Sequence, residues 1–392
     1  MQIVVALGEV YGARRLLPIA SAQVAGVSYK NLGDAGLEFL EDWAAQAVKV
    51  RVPAFMNPAG MDLERWPRMG IKPEFARRQK RIVAALASMG VAATCTCTPY
   101  LVGYAPGQGE HLAWSESSAV SYANSVIGAR SNREGGPSAL ASAITGRTAA
   151  YGLHLRGNRR ATHVVTVGCP LRDEADYGAL GYLVGLEVSD GVPYFRLGKP
   201  SSGARQAGPS QEDLMALGAA MAASGAVALY HIEGVTPEAN RALARSTTMR
   251  EIVIRDLSEG YRALNSPLEG VDLVALGCPH STMGQIANIA RQLEGKRVQS
   301  TLWITTSRDV RARAEEQGWV EVIEAAGGQV LADTCLVVAP VEEMGFKAMA
   351  TNSAKAAFYA PMHSGLRRRF GSTKQCIEAA LSGRWGGTRG VE

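Results

Sequence analysis

The sequence predicts an α/β fold whose strands are mostly parallel and are flanked by helices. Three observations lead to this prediction: strand-like and helix-like segments alternate from residue 211 onward, reactive side chains follow several of the strands, and the composition is that of a folded protein. Hydrophobic residues make up 47% of the 392 residues and charged residues 20%, which is typical of a globular chain. A chain of this length is expected to form two or three packed domains.

The second half of the chain has the most regular pattern. Predicted strands lie at 226–231, 251–254, 271–276, 299–305 and 330–332, and predicted helices at 213–223, 235–244, 281–293 and 308–325. Strands that alternate with helices indicate a parallel sheet covered on both faces. Ligands of such sheets lie beyond the carboxyl ends of the strands.

The first half mixes helices with loops that are rich in glycine. Apolar residues recur at helical spacing at Leu37, Leu40, Trp43, Ala44 and Ala47. A second helix is expected at 73–89 and a short strand at 91–97. Because residues 199–211 are rich in Gly, Pro and Ser, we place a boundary there. We therefore expect one α/β region at 1–205 and another at 206–392.

Charge and hydropathy disfavour two classes of partner. The net charge is only +5, and the basic runs at 77–81 and 367–369 have no accompanying aromatic ladder or recognition motif for nucleic acid. No apolar run approaches the roughly 20 residues that span a bilayer, and the N-terminus lacks the basic start and apolar core of a signal peptide. We therefore expect a cytoplasmic protein with reduced thiols and neither a nucleic-acid nor a membrane partner.

Three of the six cysteines share one kind of position. Cys97, Cys278 and Cys335 each lie where a predicted strand gives way to a loop, at the edge where a sheet presents groups to a cleft. Three thiolates that converge there could bind a transition metal or an iron–sulfur cluster. The alternative is that each is a small buried hydrophobic residue. Cys169 is a weaker candidate ligand, and Cys376 fits a helix core.

Residues 124–137 form a second candidate site. The segment surrounds its polar side chains with glycine, and its candidate substrate-binding residues are Ser125, Arg130, Ser131, Asn132 and Arg133. Arginine matches a carboxylate with two parallel hydrogen bonds, and the small polar groups can donate to hydroxyls. A polar surface loop is the alternative explanation.

Two further segments carry small polar residues. Residues 351–355 resemble a helix N-terminus, where Ser353 and Lys355 could hold a carboxylate or phosphate, although such residues also simply cap helices. The loop at 57–62 contains Gly60 and Asp62, which could bind substrate or only form a turn. The sequence has no phosphate-binding P-loop, nucleophile elbow or dinucleotide fingerprint.

Seven segments together resemble the aconitase X family. They are SYKNLGDAGLEFLED (28–42), NPAGMD (57–62), CTPYL (97–101), NSVIGARSNREGGP (124–137), GCPH (277–280), DTC (333–335) and TNSAK (351–355). They occur in family order across most of the chain. The resemblance implies an aconitase-like large-subunit architecture, with parallel sheets and helices around a central cleft.

The resemblance also implies a chemistry. Family members are hydro-lyases that use iron, as an iron–sulfur cluster or as mononuclear iron, to polarise the leaving hydroxyl of a hydroxy acid. The three cysteine ligands map to Cys97, Cys278 and Cys335. A serine on a small swivelling domain removes the α-proton, and this chain shows no such domain. A separate small subunit is therefore the expected partner, and no catalytic base is assigned within this chain.

The resemblance leaves the substrate open. Bacterial members dehydrate cis-3-hydroxy-L-proline to a pyrroline carboxylate, and archaeal members dehydrate mevalonate 5-phosphate. The alanine- and arginine-rich composition is typical of a GC-rich bacterial source, so we expect hydroxyproline, with mevalonate 5-phosphate as the alternative. A catalytically inactive binding protein of the same fold is a further alternative, which the presence of all three thiols disfavours.

Overall fold

The computed structural model describes residues 1–198, 208–243 and 249–386. Its strands are β1 (Leu16–Pro18), β2 (Ser21–Val24), β3 (Ala54–Met56), β4 (Leu112–Trp114), β5 (Arg147–Ala149), β6 (His163–Val167), β7 (Pro193–Leu197), β8 (His231–Ile232), β9 (Arg250–Ile254), β10 (Leu273–Leu276), β11 (Thr301–Thr306), β12 (Gln329–Ala332), β13 (Ala348–Thr351) and β14 (Arg367–Phe370).

The α-helices connect these strands along the chain. They are α1 (Gln2–Val10), α2 (Tyr29–Ala45), α3 (Pro73–Ser88), α4 (Ser117–Tyr122), α5 (Gly136–Thr145), α6 (Glu174–Val188), α7 (Gln211–Gly225), α8 (Ala239–Ala242), α9 (Ser258–Ala263), α10 (Met283–Leu293), α11 (Arg308–Glu316), α12 (Trp319–Ala325), α13 (Ala354–Ser364) and α14 (Thr373–Ser382). No helix in the described ranges is long and apolar enough to span a membrane.

Parallel pairing dominates the sheets. The strand orders are β3-β2-β4, β8-β7-β6-β9 and β12-β11-β10-β13-β14, and every pair in these three sheets is parallel. Among the strands of the described residues only β1 and β5 pair in antiparallel fashion, and one isolated antiparallel bridge joins Gly270 to Arg384. The predicted α/β class with mostly parallel sheets flanked by helices is confirmed.

The five-stranded sheet is buried on both faces. Adjacent residues of each strand point to opposite faces, so Val274 and Ile304 pack with the helices that follow their strands, whereas Leu273 and Trp303 pack against residues 61–76. The first part of the chain therefore covers one face of the last sheet. This packing brings loops from the two ends of the sequence together.

Helices α6 and α7 of the middle sheet pack at very short range. A Cβ added to Gly225 would lie 1.8 Å from the carbonyl oxygen of Gly185, and one added to Gly181 would lie 2.6 Å from that of Leu217. Glycine is therefore needed where the two backbones meet. Glu174 of α6 and Glu212 and Met215 of α7 line a small pocket together with Cys278.

Several predicted elements differ from the structure. Residues 91–97 are not a strand, because apart from the isolated bridge at Ala92 they are irregular and Cys95 has a positive φ of 42°. The predicted helix at 308–325 is two helices, because Gly318 adopts a left-handed conformation with φ of 74°. Of the predicted strand at 226–231 only residue 231 is in a strand, as the first residue of β8.

Two predictions reach residues that the structure does not describe. The helix predicted at 235–244 is seen as α8, and the predicted end at residue 244 lies outside the described residues. The expected boundary at residue 205 also lies outside them. The sheet that contains β6 to β9 takes two strands from each side of that position, so this sheet does not divide there.

Candidate active site

Two of the three candidate ligand cysteines follow strands of the five-stranded sheet. Cys278 lies two residues beyond β10, and Cys335 lies three residues beyond β12. Between β10 and Cys278 the chain turns at Gly277, whose φ is 95° and whose added Cβ would lie 2.1 Å from the carbonyl oxygen of Thr305. No other residue fits this turn, so the glycine fixes the direction in which the Cys278 loop leaves the sheet.

Cys97 comes from the first part of the chain. The amide of Thr96 donates to the carbonyl of Met56 at 3.1 Å, so the end of β3 fixes the loop that contains Cys97. The Cys97 sulfur accepts a hydrogen bond from the amide of His280 at 3.2 Å. The structure therefore brings the Cys97 loop against the Cys278 loop, 183 residues away along the chain.

Cys97, Cys278 and Cys335 form what we call the three-cysteine cluster. Burial raises the pKa of each thiol, and the neighbouring thiols add to the increase at Cys97 and Cys335, so that the pKa of Cys335 rises to about 12. The three loops meet at His280, whose amide bonds the Cys97 sulfur and whose Nε2 lies 2.9 Å from the carbonyl oxygen of Thr334, the residue before Cys335. Within the described ranges, no three His, Cys, Asp or Glu side chains are arranged to share a single metal ion.

A buried ion pair lies beside the three-cysteine cluster. Lys355, at the start of α13, contacts Glu116, which follows β4, and their side chains are only 10% and 14% exposed. Burial alone would raise the pKa of Glu116, but the Lys355 ammonium and hydrogen bonds from Ser118 lower it to about 2. Burial disfavours the charged form of Lys355, yet the Glu116 carboxylate raises the lysine pKa. Both groups are therefore charged at neutral pH.

Glu116 is a functional candidate that the sequence prediction missed. Its carboxylate also accepts hydrogen bonds from the side-chain amide of Asn57 at 3.2 Å and from the backbone amide and hydroxyl of Ser118 at 3.3 and 2.9 Å. The available signal was its position just after β4, where a parallel strand ends at the cleft. Its partner Lys355 is 239 residues away in sequence, so no local sequence pattern indicates the ion pair.

Three buried polar atoms around this cleft have no hydrogen-bond partner among the described residues. They are the Asn57 side-chain oxygen, the Tyr100 hydroxyl and the Thr334 hydroxyl. Asn57 bonds Glu116, Tyr100 interacts electrostatically with Cys97 and Glu116, and Thr334 precedes Cys335. Buried polar groups normally have partners. A bound group is the natural partner for atoms orphaned around one cleft.

The TNSAK segment has the local structure that its sequence predicts. Ser353 is the N-cap of α13, and its hydroxyl accepts a hydrogen bond from the amide of Ala356 at 3.1 Å. The Ser353 side chain also lowers the pKa of the Cys278 thiol, against the larger increase that burial causes. Lys355, however, is held by Glu116 rather than free to receive an anion by itself. The segment therefore caps α13 and pairs with Glu116, in addition to lining the cleft.

The segment at 124–137 divides into an internal and an exposed part. Ser125 accepts a hydrogen bond from the amide of Tyr230 at 2.9 Å, and the Ser131 hydroxyl is fully buried and bonds the backbone of Trp114 and Asn132. Asn132 bonds the backbone of Leu153 and Tyr151. In this structure these three predicted substrate residues hold the segment in shape.

Arg133 is the exposed member of the same segment. Its side chain has no ion pair or hydrogen bond within the described ranges. The next residue, Glu134, donates its amide to the carbonyl of Trp114, two residues before Glu116. Arg133 is thus tied to the strand end that carries the ion pair. Arg130, half-buried with an unpartnered Nε, lies instead beside His111, at the opposite end of β4.

Gly60 and Asp62 do not open into the cleft. A Cβ on Gly60 would lie 2.7 Å from Ser28 and Phe75, so the glycine is closely packed. Asp62 is fully buried and accepts hydrogen bonds from the amides of Glu64, Arg65 and Ala332 at 2.8–2.9 Å. Asp62 therefore joins its own turn to the end of β12, next to the Cys335 loop.

The fold and the cleft define an α/β protein whose parallel strands end at a buried thiol cluster beside an ion pair. Three family models match the chain, described as the first, second and third domains of aconitase X, at residues 1–157, 161–260 and 271–382. The crystal structure of Thermococcus kodakaraensis aconitase X in its holo-form superposes with a TM-score of 0.88 at 43% identity, covering 97% of this chain and 94% of that one. The chain belongs to the aconitase X family, as its motifs predicted.

Relatives with two different names are similar to the chain. The phosphomevalonate dehydratase large subunit of Methanothermobacter thermautotrophicus is 53% identical, covering 93% of this chain and 90% of the relative. The same-named protein of Methanocaldococcus jannaschii is 47% identical over 98% and 94%. The cis-3-hydroxy-L-proline dehydratase of Pseudomonas aeruginosa is 36% identical, covering 98% of this chain but 67% of the relative.

Proposed function

We propose that this chain is the large subunit of a phosphomevalonate dehydratase. The observation that carries the proposal is the 45–53% identity to four proteins of that name, each matched over most of both lengths. Relatives named for cis-3-hydroxy-L-proline are only 34–36% identical. Our expectation of hydroxyproline rested on composition, which reports genome bias rather than the shape of a cleft, and the alternative substrate is now better supported.

We further propose that the three-cysteine cluster holds iron as an iron–sulfur cluster, in which each thiolate binds its own iron and the three need not share a single metal ion. Thiolates are the ligands of iron–sulfur clusters, and the three unpartnered polar atoms beside the thiols are available to bond a bound group or its substrate. When bound, the iron would act as a Lewis acid toward the leaving hydroxyl. The raised pKa values describe the thiols without a cation, and a bound cation reverses that preference.

The chain's own residues would bind and orient the substrate. The elimination breaks the C–H bond beside the carboxylate and the C–O bond of the hydroxyl, forms a C=C bond and releases water. Arg133 is exposed and has no ion pair within the described residues, and its neighbour Glu134 bonds Trp114 at the end of β4. We therefore assign it the substrate carboxylate. The Lys355–Glu116 pair keeps an ammonium in the cleft at neutral pH. The orphaned hydroxyl of Tyr100 is a further donor.

The proposed enzyme needs a small partner subunit. Five relatives are named as large subunits, whereas about a third of the longer hydroxyproline dehydratase lies outside the region that matches this chain. An α-proton beside a carboxylate is weakly acidic, so elimination also requires a positioned base. The only carboxylate that we place beside the thiols, Glu116, is paired with Lys355. We therefore place the base, a serine in the family, on the small subunit.

The test compares substrates and subunit composition under anaerobic conditions. The iron-loaded chain with its small subunit should dehydrate mevalonate 5-phosphate, and the chain alone should be inactive. Turnover of cis-3-hydroxy-L-proline in preference to mevalonate 5-phosphate would contradict the substrate assignment. Full activity of the chain alone would contradict the division between subunits.

The iron site is tested by replacing each member of the three-cysteine cluster by alanine. Each variant should lose bound iron, because a cluster held by two thiolates is readily released. Cys376→Ala is the control, since Cys376 is a buried thiol that lies in α14, within a hydrophobic core. Iron content equal to that of the unaltered chain in all three variants would contradict the assignment.

A further inference from the structure

His280 contacts all three loops of the cysteine cluster. It lies two residues beyond Cys278, is fully buried, and donates its backbone amide to the Cys97 sulfur at 3.2 Å. Its Nε2 lies 2.9 Å from the carbonyl oxygen of Thr334, and its Nδ1 lies 2.9 Å from the hydroxyl of Thr96. Thr96 precedes Cys97 and Thr334 precedes Cys335. One imidazole therefore bridges the residues adjacent to the other two cysteines.

The direction of each hydrogen bond follows from the chemistry of the partners. A carbonyl oxygen can only accept, so Nε2 carries the hydrogen and donates to Thr334. In the neutral ring Nδ1 then accepts from the Thr96 hydroxyl. The same hydroxyl accepts from the amide of Thr98 at 3.1 Å. The two contacts select the tautomer with hydrogen on Nε2 for the neutral ring, and they hold the ring in one orientation.

Other buried histidines of the chain do not share this arrangement. His231 bonds the carbonyl oxygen of Arg159 through Nε2, and its Nδ1 has no partner among the described residues. His154 bonds His111 at 3.0 Å, and its Nε2 is likewise unpartnered. Neither lies in a cysteine loop. His280 is different because both ring nitrogens are satisfied and both bonds end beside a candidate ligand.

We propose that His280 is a positioning residue that fixes the spacing of the three cysteine loops for iron binding. The inference rests on the proposed iron site and goes beyond it by naming the group that keeps the thiols together before the metal arrives. The Cys97 loop and the Cys335 loop come from different sheets, and the imidazole is a direct link between them. Groups that orient metal ligands in this way typically change metal affinity by roughly 10- to 100-fold when removed.

Two substitutions separate the two links. In His280→Asn the side-chain amide reaches the position of Nδ1, so the contact with Thr96 is kept and the one with Thr334 is lost. In His280→Gln the amide reaches the position of Nε2, so the contact with Thr334 is kept and the one with Thr96 is lost. Thr96→Val removes the same link as His280→Gln from the other side, and Thr96→Ser keeps the hydroxyl. His231→Gln is the control for loss of a buried imidazole elsewhere.

The measurement is iron per chain after anaerobic reconstitution with Fe²⁺ and sulfide, together with the rate of iron release to a chelator and the absorption and EPR spectra. We expect about 10- to 100-fold weaker retention in His280→Asn, His280→Gln and Thr96→Val. Thr96→Ser and His231→Gln should retain iron normally with unaltered spectra. If His280→Gln does not fold, the two Thr96 variants carry the test.

The outcomes distinguish this inference from the proposed function. Failure of the unaltered chain to bind iron, or normal iron in the three cysteine variants, contradicts the iron site itself. Iron loss in the cysteine variants, with normal retention and spectra in His280→Gln and Thr96→Val, overturns the role of His280 alone. Equal iron loss in Thr96→Ser and Thr96→Val would also overturn it, because the hydroxyl would then not be the group that matters.

Discussion

Replacing Lys355 by methionine tests whether the ion pair at the cleft stabilises the fold as well as the site. Lys355 and Glu116 join the start of α13 to the end of β4, so the pair connects the first and last parts of the chain. Methionine keeps most of the volume of the side chain but leaves the Glu116 carboxylate buried without a counter-charge. We expect a less stable protein in addition to weaker turnover.

The expected magnitude follows from the burial of the pair. Two unit charges 4 Å apart attract by about 4 kcal/mol at an effective dielectric constant of about 20. Removing one partner of a buried pair typically costs 3–5 kcal/mol. Because hydrogen bonds from Asn57 and Ser118 to Glu116 remain, we expect the lower part of that range, about 3 kcal/mol. Lys374→Met is the control, because Lys374 is 78% exposed and its pair should contribute under about 1 kcal/mol.

The assay is denaturant unfolding of the iron-free chain in a double-mutant cycle with Glu116→Gln. Removing both charges should cost clearly less than the two single losses added together. The folded pKa of Glu116 is about 2 and its ordinary value is 4.5, so the pair stabilises the fold above about pH 4.5 and loses this effect as the pH falls toward 2. The deficit of Lys355→Met should therefore be largest at neutral pH and shrink in acid. Strictly additive losses with no pH dependence would refute the reasoning.

Three further substitutions test other parts of the site. Arg133→Lys keeps the charge but loses the planar fork, so kcat/KM should fall by the equivalent of about 1.5–3 kcal/mol, whereas exposed Arg147→Lys should have no effect. Gly277→Ala should cost about 1–3 kcal/mol in unfolding free energy and lower iron content, because its Cβ meets Thr305, whereas Gly270→Ala meets nothing within 4 Å. Asp62→Asn should lower stability with near-normal kinetics. Normal stability with impaired turnover would instead support the predicted substrate role of Asp62.

The strand-end argument predicted where two of the candidate ligand cysteines lie. Cys278 and Cys335 follow parallel strands whose alternation with helices is visible in the sequence, so their placement at one edge could be derived before the structure. Cys97 was predicted to lie beside the other two cysteines because residues 91–97 were expected to form a strand, but these residues are irregular. That loop is held by the end of β3 rather than by a strand of its own.

What the sequence could not predict are contacts between distant segments. Glu116 and His280 have partners 239 and 184 residues away, and nothing in the local pattern around either residue indicates the other. The same difficulty applies to Ser131 and Asp62, because a polar residue in a glycine-rich loop has the same pattern whether it faces a ligand or bonds backbone. Side-chain direction in such loops depends on packing that only the folded chain supplies.

The wide separation of the three proposed ligands along the chain also governs when the proposed site can form during synthesis. At roughly 5–20 residues per second, a ribosome adds Cys335 about 10 to 50 s after Cys97. During that interval the nascent chain carries one of the three proposed ligand thiols, and later a second, but neither the imidazole bridge nor the ion pair can close until the last sheet has emerged. Metal capture is therefore expected to follow translation rather than accompany it. In an oxidising cell, this delay is the period in which the unpaired thiols are exposed to damage.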